Sequence, residues 1–275
     1  KNKRVKYPIC SDIKYAFKRL TEIAKENKFK PPNLSKWYST LTKWQKKHPF
    51  KYEKSKYILA QEAIEVLYEE TKGEAILTTG VGQHQMWAAQ YCDFREPRLW
   101  LTSGSMGTMG FGLPAAIGAQ LACPDKLVID VDGDGSMRMN LGELETVTTY
   151  DLPIKVMVLN NYGDGMVMQW QRLFFKGRLS GSDKSLHKKD FVKGAEADGF
   201  PWAKRLDRKE DVPRILEEFL GFEGPAFLEV IIDKEAGVYP MVGPGLSYRD
   251  MITGDFIPNR YGAEEPEEPD ASEMF

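Results

Sequence analysis

The spacing of apolar residues divides the chain into unlike parts. Residues 11–27 set Ile13, Phe17, Leu20, Ile23 and Ala24 on one stripe behind a cap at Ser11 or Asp12, which predicts an amphipathic helix ended by Pro31 and Pro32. The following stretch, to about residue 56, mixes Trp37, Tyr38 and Trp44 with lysines and reads as a helical, basic linker. From Tyr57 a helix with Ile58, Ala63, Ile64 and Leu67 inward leads to a short strand at 75–79 and then to Gly80 and Gly82. Beyond a second glycine-rich stretch come a buried helix of small residues at 113–121, a strand at 126–131, a helix at 141–150 and a strand at 155–159. Further helices near 188–198 and 209–220 alternate with strands near 202–206 and at 226–232.

Strands that are apolar on both faces and separated by helices predict an α/β fold: a doubly wound, mostly parallel sheet covered on both sides. Ligands of such sheets sit at the carboxyl ends of the strands. The predicted division is residues 1–25 as the end of a preceding domain, 26–56 as a linker, 57–238 as the sheet domain, and 239–275 as a wrapping tail, disordered from about residue 262.

Charge sharpens this division. The net charge of −2 conceals seventeen Lys or Arg against four acids in residues 1–57, and six acids without a base in 264–273. Because the basic residues interleave with apolar ones at helical spacing, they read as a solvated face and not as a nucleic-acid patch. Three widely spaced cysteines, Cys10, Cys92 and Cys123, argue for free thiols in a reducing compartment. No stretch approaches the roughly 20 apolar residues of a membrane span. The opening Lys1-Asn2-Lys3-Arg4 lacks an initiator Met and reads as a cut within a longer polypeptide.

The chemistry centres on Asp132-Gly133-Asp134-Gly135-Ser136 at the end of one inner strand and Asn160-Asn161 at the end of the next, with twenty-four residues between Gly135 and Asn160. A parallel βαβ connection sets those ends side by side, so Asp134 and Asn161 can offer a carboxylate and an amide oxygen to one hard cation. A carbonyl near Gly163, two phosphate oxygens and a water would complete the octahedron usual for Mg²⁺, and the glycines would let backbone N–H groups approach a diphosphate. A lone Gly-Asp-Gly triplet is more often a turn; the paired asparagines favour the cation. Asn140 and Glu143 have the spacing of a capping box, which makes Asn140 structural.

This arrangement resembles the diphosphate and Mg²⁺ motif of thiamin-diphosphate enzymes. Gly80-Val81-Gly82-Gln83-His84-Gln85-Met86-Trp87, Gly107-Thr108-Met109-Gly110-Phe111-Gly112-Leu113-Pro114 and Gly165-Met166-Val167-Met168-Gln169-Trp170 resemble the acetohydroxyacid (acetolactate) synthases more narrowly, and the likeness runs to about Gly254. It implies that Val81, Gly82, Gln83 and His84 approach the diphosphate with Gly135 and Ser136 helping, and that Gly107, Gly133 and Gly165 adjoin the cofactor. It further implies that Asp134, Asn161 and the Gly163 carbonyl hold the metal, that Met109 props the cofactor into its bent form, that Met166 flanks the thiazolium, and that Trp170 lines the pocket for a second 2-keto acid. Read without it, His84 is a hydrogen-bonded loop residue, the methionines including Met168 fill a core, and Trp170 could bury its ring in a subunit interface.

The likeness also implies FAD in the complete enzyme, a homodimer or homotetramer with the active site between subunits, and a proton-relaying glutamate in a preceding domain of a neighbouring subunit. Glu143 and Glu145, on a helix leading away from the metal site, are poor substitutes for it. A separate regulatory subunit is compatible with it, and neither nucleic acid nor membrane is expected as a partner. The compartment it suggests is a bacterial cytoplasm, or a plastid or mitochondrion in a eukaryote. Another thiamin carboligase, a pyruvate oxidase, or a non-catalytic scaffold of this fold stays open as an alternative. Departures from the family pattern are Ser105-Met106, Arg138, and Gly163-Asp164, which stands where bulkier polar residues are common and bears on the rigidity of the turn.

Overall fold

The computed structural model describes residues 4–52, 55–243 and 245–253. The chain divides into two units, 1–51 and 52–275. The first holds α1 (Ile13–Glu26) and α2 (Ser35–Lys47). Asp12 caps α1, accepting from the Tyr15 N–H at 3.0 Å. Neither helix has a buried residue. The acidic stretch predicted to be disordered lies outside the described residues.

The second unit begins with α3 (Ala60–Glu70), then runs β1 (Ile76–Thr79), α4 (Gln83–Tyr91), β2 (Trp100–Thr102), α5 (Gly112–Ala122), β3 (Val128–Gly133), α6 (Asp134–Met137), α7 (Glu143–Thr149), β4 (Lys155–Asn160), α8 (Gly165–Phe174), α9 (Phe191–Ala197), β5 (Trp202–Leu206), α10 (Val212–Gly221) and β6 (Ala226–Ile231). The six strands form one parallel sheet in the order β2-β1-β3-β4-β6-β5. This is the doubly wound α/β fold read from the apolar runs. Strands β3 and β4 are buried throughout, and their alternate residues feed two cores. Ile129, Val131, Met157 and Leu159 pack with α3 and α10, while Val128, Val156 and Val158 pack with α5, α7 and α9.

Four elements depart from the sequence reading, among them α6, a four-residue helix in what was read as the end of a strand. Strand β2 was not predicted: it has only three residues, none fully buried, at a sheet edge. Helices α4 and α8 were read only as motifs and not as helices; each starts directly after a turn that carries glycine, Gly80 to Gly82 and Gly163. The expected capping box does not form. Helix α7 starts at Glu143 behind Gly142 with no side-chain cap; Asn140 instead donates from Nδ2 to the Gly110 carbonyl at 2.6 Å, and Glu143 accepts from Thr146 Oγ1 at 2.9 Å. The long-range bond to an otherwise open loop carbonyl wins over the local cap, so Asn140 is structural for a different reason.

After β6 the chain crosses back over α4 and α8. The carbonyls of Ala236, Val238 and Tyr239 accept from Gln83, Gln169 and Gln90. Met241 and Ile252 then pair in an isolated antiparallel bridge. The three cysteines are free thiols, and burial pushes the Cys92 thiol up to about 12. Among the described residues no helix is long and apolar enough to cross a membrane.

Candidate functional site

Register places the chemistry. Gly133 of β3 pairs with Leu159 of β4, so the chain leaves both strands at one level of the sheet and delivers Asp134 and Asn161 to neighbouring tips. Asn160 and Asn161 then divide the work. Asn160 builds the turn: its Nδ2 donates to buried Glu229 at 2.7 Å, and its Oδ1 accepts from the Tyr162 N–H at 2.8 Å, holding Tyr162 at φ 60°. Asn161 faces the other way. Its Oδ1 lies 3.2 Å from Asp134 Oδ1 and 2.9 Å from the Gly163 carbonyl oxygen.

Three oxygens thus converge without a hydrogen between them, and the second Asp134 oxygen is buried with no hydrogen-bond partner. Uncompensated, such a cluster is costly; a hard cation preferring oxygen ligands fits it. Among the described residues no group of three His, Cys, Asp or Glu has metal-ligand placement, so a cation here would depend on the amide and the backbone carbonyl as well as the carboxylate.

The charges around Asp134 are mixed. Burial pushes Asp134 up to about 7, while Arg138, the Asn161 backbone N–H and Lys184 pull the other way and Asp164 adds to the rise. Arg138, unexplained by the sequence, lies with its guanidinium 5.3 Å from the Phe191 ring centre, a cation–π distance. Asp164 Oδ2 accepts from Lys184 Nζ at 2.5 Å, while its Oδ1 is buried without a partner. No sequence signal linked that pair, which is twenty positions apart and joined only by the fold.

Rigidity of the Gly163-Asp164 turn comes from outside it. The Asp164 N–H donates to the Ser182 carbonyl at 2.9 Å, the Lys184 N–H donates to the Tyr162 carbonyl at 2.8 Å, and Gly163 bridges Asp183. Buried Ser182 is itself held by Gln171 at 2.5 Å. Met168 is packed under Gly163 and is a core residue.

On the β1 side, Ser136 Oγ accepts from the N–H groups of Val81 (3.2 Å) and Gly110 (2.9 Å), clamping both glycine-rich loops to the start of α6. The His84 ring is packed against Gly82 and Gly133, with Nε2 3.2 Å from Asp132 Oδ1. That approach is not aligned as a hydrogen bond, and Nε2 has no other partner.

All fourteen residues that the likeness set near cofactor or metal line one cleft of about 260 Å³: Val81, Gly82, Gln83, His84, Gly107, Met109, Gly133, Asp134, Gly135, Ser136, Asn161, Gly163, Gly165 and Met166. Trp170 is not among them. One helical turn beyond Met166, it lines a second hollow with Gln171, Phe175, Arg178 and Ser180, and Val167 borders both spaces. Asp164 lines the cleft too.

A family model described as thiamine pyrophosphate enzyme, C-terminal TPP binding domain, matches residues 80–230. The chain belongs to that family. The match runs from Gly80, just after β1, to Val230 in β6 and takes in all of the cleft-lining residues but Ile232. Among curated proteins, this thiamine-pyrophosphate-family chain is 45% identical over 262 residues to acetolactate synthase 1, chloroplastic, of Nicotiana tabacum. It is 42% identical to acetolactate synthase 1, chloroplastic, of Oryza sativa subsp. japonica, and 41% to acetolactate synthase, chloroplastic, of Arabidopsis thaliana. Each match covers 92% of the chain but only 39–40% of the relative. The chain therefore spans about two fifths of the length of these relatives.

The raised Asp134 gives a pH signature in the cation-free protein. The folded state keeps a proton that the unfolded state releases above the ordinary value of 3.8, so Asp134's contribution to stability is full below that pH and is lost as pH rises through about 7. The thermal midpoint of Asp134→Asn should therefore fall less than the parent's between pH 5 and 8 when both are measured without divalent cations. Parallel curves would show that Asp134 ionises freely in the folded state.

Proposed function

We propose that this chain forms the diphosphate- and Mg²⁺-binding part of an acetolactate synthase. The reaction assigned to the complete enzyme is decarboxylation of pyruvate and transfer of its two-carbon unit to a second pyruvate, giving 2-acetolactate, or to 2-ketobutyrate, giving 2-aceto-2-hydroxybutyrate. The observation that carries the reading is the convergence of the Asp134, Asn161 and Gly163 oxygens in a cleft at the carboxyl ends of β3 and β4. The similarity to acetolactate synthases supports the choice within the family.

Thiamin diphosphate, when bound, supplies the nucleophilic carbon and the electron sink that decarboxylation of a 2-keto acid needs. The chain's own part is to hold and orient. Asp134, Asn161 and the Gly163 carbonyl would bind the cation; Gly107 leaves room for the pyrophosphate, while Gly82, Gly135 and Gly165 make space for the His84, Asp164, Gln83 and Asn161 side chains that line the cleft. Met109 and Met166 form apolar walls that exclude water from the reacting end. Trp170 would contact the second keto acid, whose carboxylate suits Arg178 on the same hollow.

The same reading assigns a partner subunit that supplies the proton-relaying glutamate, FAD in the complete enzyme, and, from the chloroplast relatives, a plastid as the compartment. With the complete enzyme, pyruvate alone should yield 2-acetolactate, and added 2-ketobutyrate should divert product to 2-aceto-2-hydroxybutyrate. Oxidative release of acetate or acetyl phosphate in place of either product would assign the chain to the pyruvate oxidase branch.

A further inference from the structure

Asn161 can serve a cation only if its amide presents oxygen, and the two ends of an amide differ only in which of them donates. Its Nδ2 donates to Gln83 Oε1 at 3.0 Å, which leaves Oδ1 facing Asp134 and Gly163. Turned over, Asn161 would satisfy those two oxygens but set its own oxygen against Gln83 Oε1 at 3.0 Å. The choice therefore depends on Gln83. Gln83 Nε2 donates to Gln169 Oε1 at 2.8 Å and to the Ala236 carbonyl at 3.2 Å. Gln169 is in turn oriented by backbone: its Oε1 accepts from the Val238 N–H at 2.8 Å, and its Nε2 donates to the Val238 carbonyl at 3.0 Å.

A backbone N–H and C=O cannot exchange roles, so the polarity of the series is set at Val238, with the Ala236 carbonyl a second fixed acceptor for Gln83. The three amides are 3%, 4% and 6% exposed from Gln169 to Asn161, too buried for solvent to relieve a reversed link. Gly165 leaves the path open: a Cβ there would lie 2.1 Å from Gln83 Oε1 and 2.4 Å from Asn161 Nδ2. Gln169 itself does not line the cleft.

We infer that Gln169 is a positioning residue for the cation site, fixing through Gln83 which end of the Asn161 amide faces Asp134. This rests on reading Asp134, Asn161 and Gly163 as cation ligands. It gives a purpose to a glutamine buried on an otherwise apolar stretch of α8.

The test titrates the complete enzyme with Mn²⁺ in saturating thiamin diphosphate, following free Mn²⁺ by electron paramagnetic resonance and folding by circular dichroism. Gln169→Leu should weaken Mn²⁺ binding by about 10–100-fold, the usual cost of removing a residue that orients a ligand. Gln169→Glu, protonated by its burial, keeps an acceptor for Gln83 and the Val238 N–H and a donor to the Val238 carbonyl, and should bind within about threefold of the parent, a change worth less than one ordinary hydrogen bond. In an Asn161→Asp background both ends of the side chain are oxygen, so Gln169→Leu should cost less than about twofold there. If the leucine variant does not fold, Gln169→Met, closer in shape and more adaptable, takes its place under the same expectations.

Parent-like binding by Gln169→Leu, equal losses in the leucine and glutamate variants, or equal losses in both backgrounds would each overturn the inference, the last two by assigning Gln169 to packing alone. If the parent and Asp134→Ala bind Mn²⁺ alike, the cation reading itself fails and the inference goes with it. Binding lost in Asp134→Ala but retained in Gln169→Leu rejects the positioning role only.

Discussion

Asp134→Ala is expected to abolish Mg²⁺-dependent binding of thiamin diphosphate, weakening it by more than about 100-fold, beyond the 10–100-fold typical of losing a residue that merely supports a ligand. Asp134 is the charged member of the converging oxygen set, and Asn161 and the Gly163 carbonyl contribute only dipoles. The protein should nonetheless fold, because removing a buried carboxylate whose second oxygen has no partner relieves an unfavourable burial. Calorimetric titration of cofactor with and without Mg²⁺ reads the effect; unchanged affinity in a folded variant would remove the site assignment.

Gly80→Ala should be the most damaging single-methyl change. A Cβ at Gly80 would lie 2.0 Å from Asp132 Oδ1 and 2.1 Å from Ser136 Oγ. Neither atom is free to retreat. Asp132 Oδ1 accepts from the Gly133 N–H at 2.8 Å, Ser136 Oγ holds Val81 and Gly110, and both side chains are buried. The loop after β1 must shift, and the clamp at Ser136 shifts with it. Overpacking of this kind should cost about 3 kcal/mol, which lowers the thermal midpoint by roughly 6–12 °C for a domain of this size. Gly118→Ala is the matched control, because Gly118 faces open space in α5 and alanine there should be neutral or stabilising by up to about 1 kcal/mol. Equal midpoints for the two variants would show that the β1 loop yields without cost.

The fold and the chemical centre were legible for the same reason. The runs that became β3 and β4 are long and apolar on both faces, so their ends could be located, and the motif residues sit within a few positions of those ends. What stayed hidden depends on contacts that sequence spacing does not encode. Strand β2 is held by the β1 ladder and by threonine contacts such as Thr79 to Thr102 at 2.7 Å, and its own three residues carry no alternation to read. Asn140 had a plausible local partner in Glu143, but a carbonyl thirty positions away was the stronger claim. Trp170, which the likeness set at a pocket for the second keto acid, lines a hollow next to the cleft, one turn of α8 beyond Met166, a placement that needed the helix to be seen. Gln169 offered a faint signal, a polar residue between methionine and tryptophan, whose meaning appeared only when Val238 was brought beside it.

Because all six strands run in one direction, their carboxyl tips meet along one edge of the sheet, while Lys155, at the start of β4, is occupied at the opposite edge with the carbonyls of Phe222 and Gly224. The cleft is thereby lined mostly by residues that follow the strand tips, with Gly133 and Leu159 the contributions of β3 and β4 themselves. The turn Tyr162-Gly163-Asp164 lies beyond the last rung of the β3–β4 ladder, so its sequence bears on the cleft and on the 182–184 segment and not on the sheet register. That modularity lets one scaffold retune its reagent grip piece by piece.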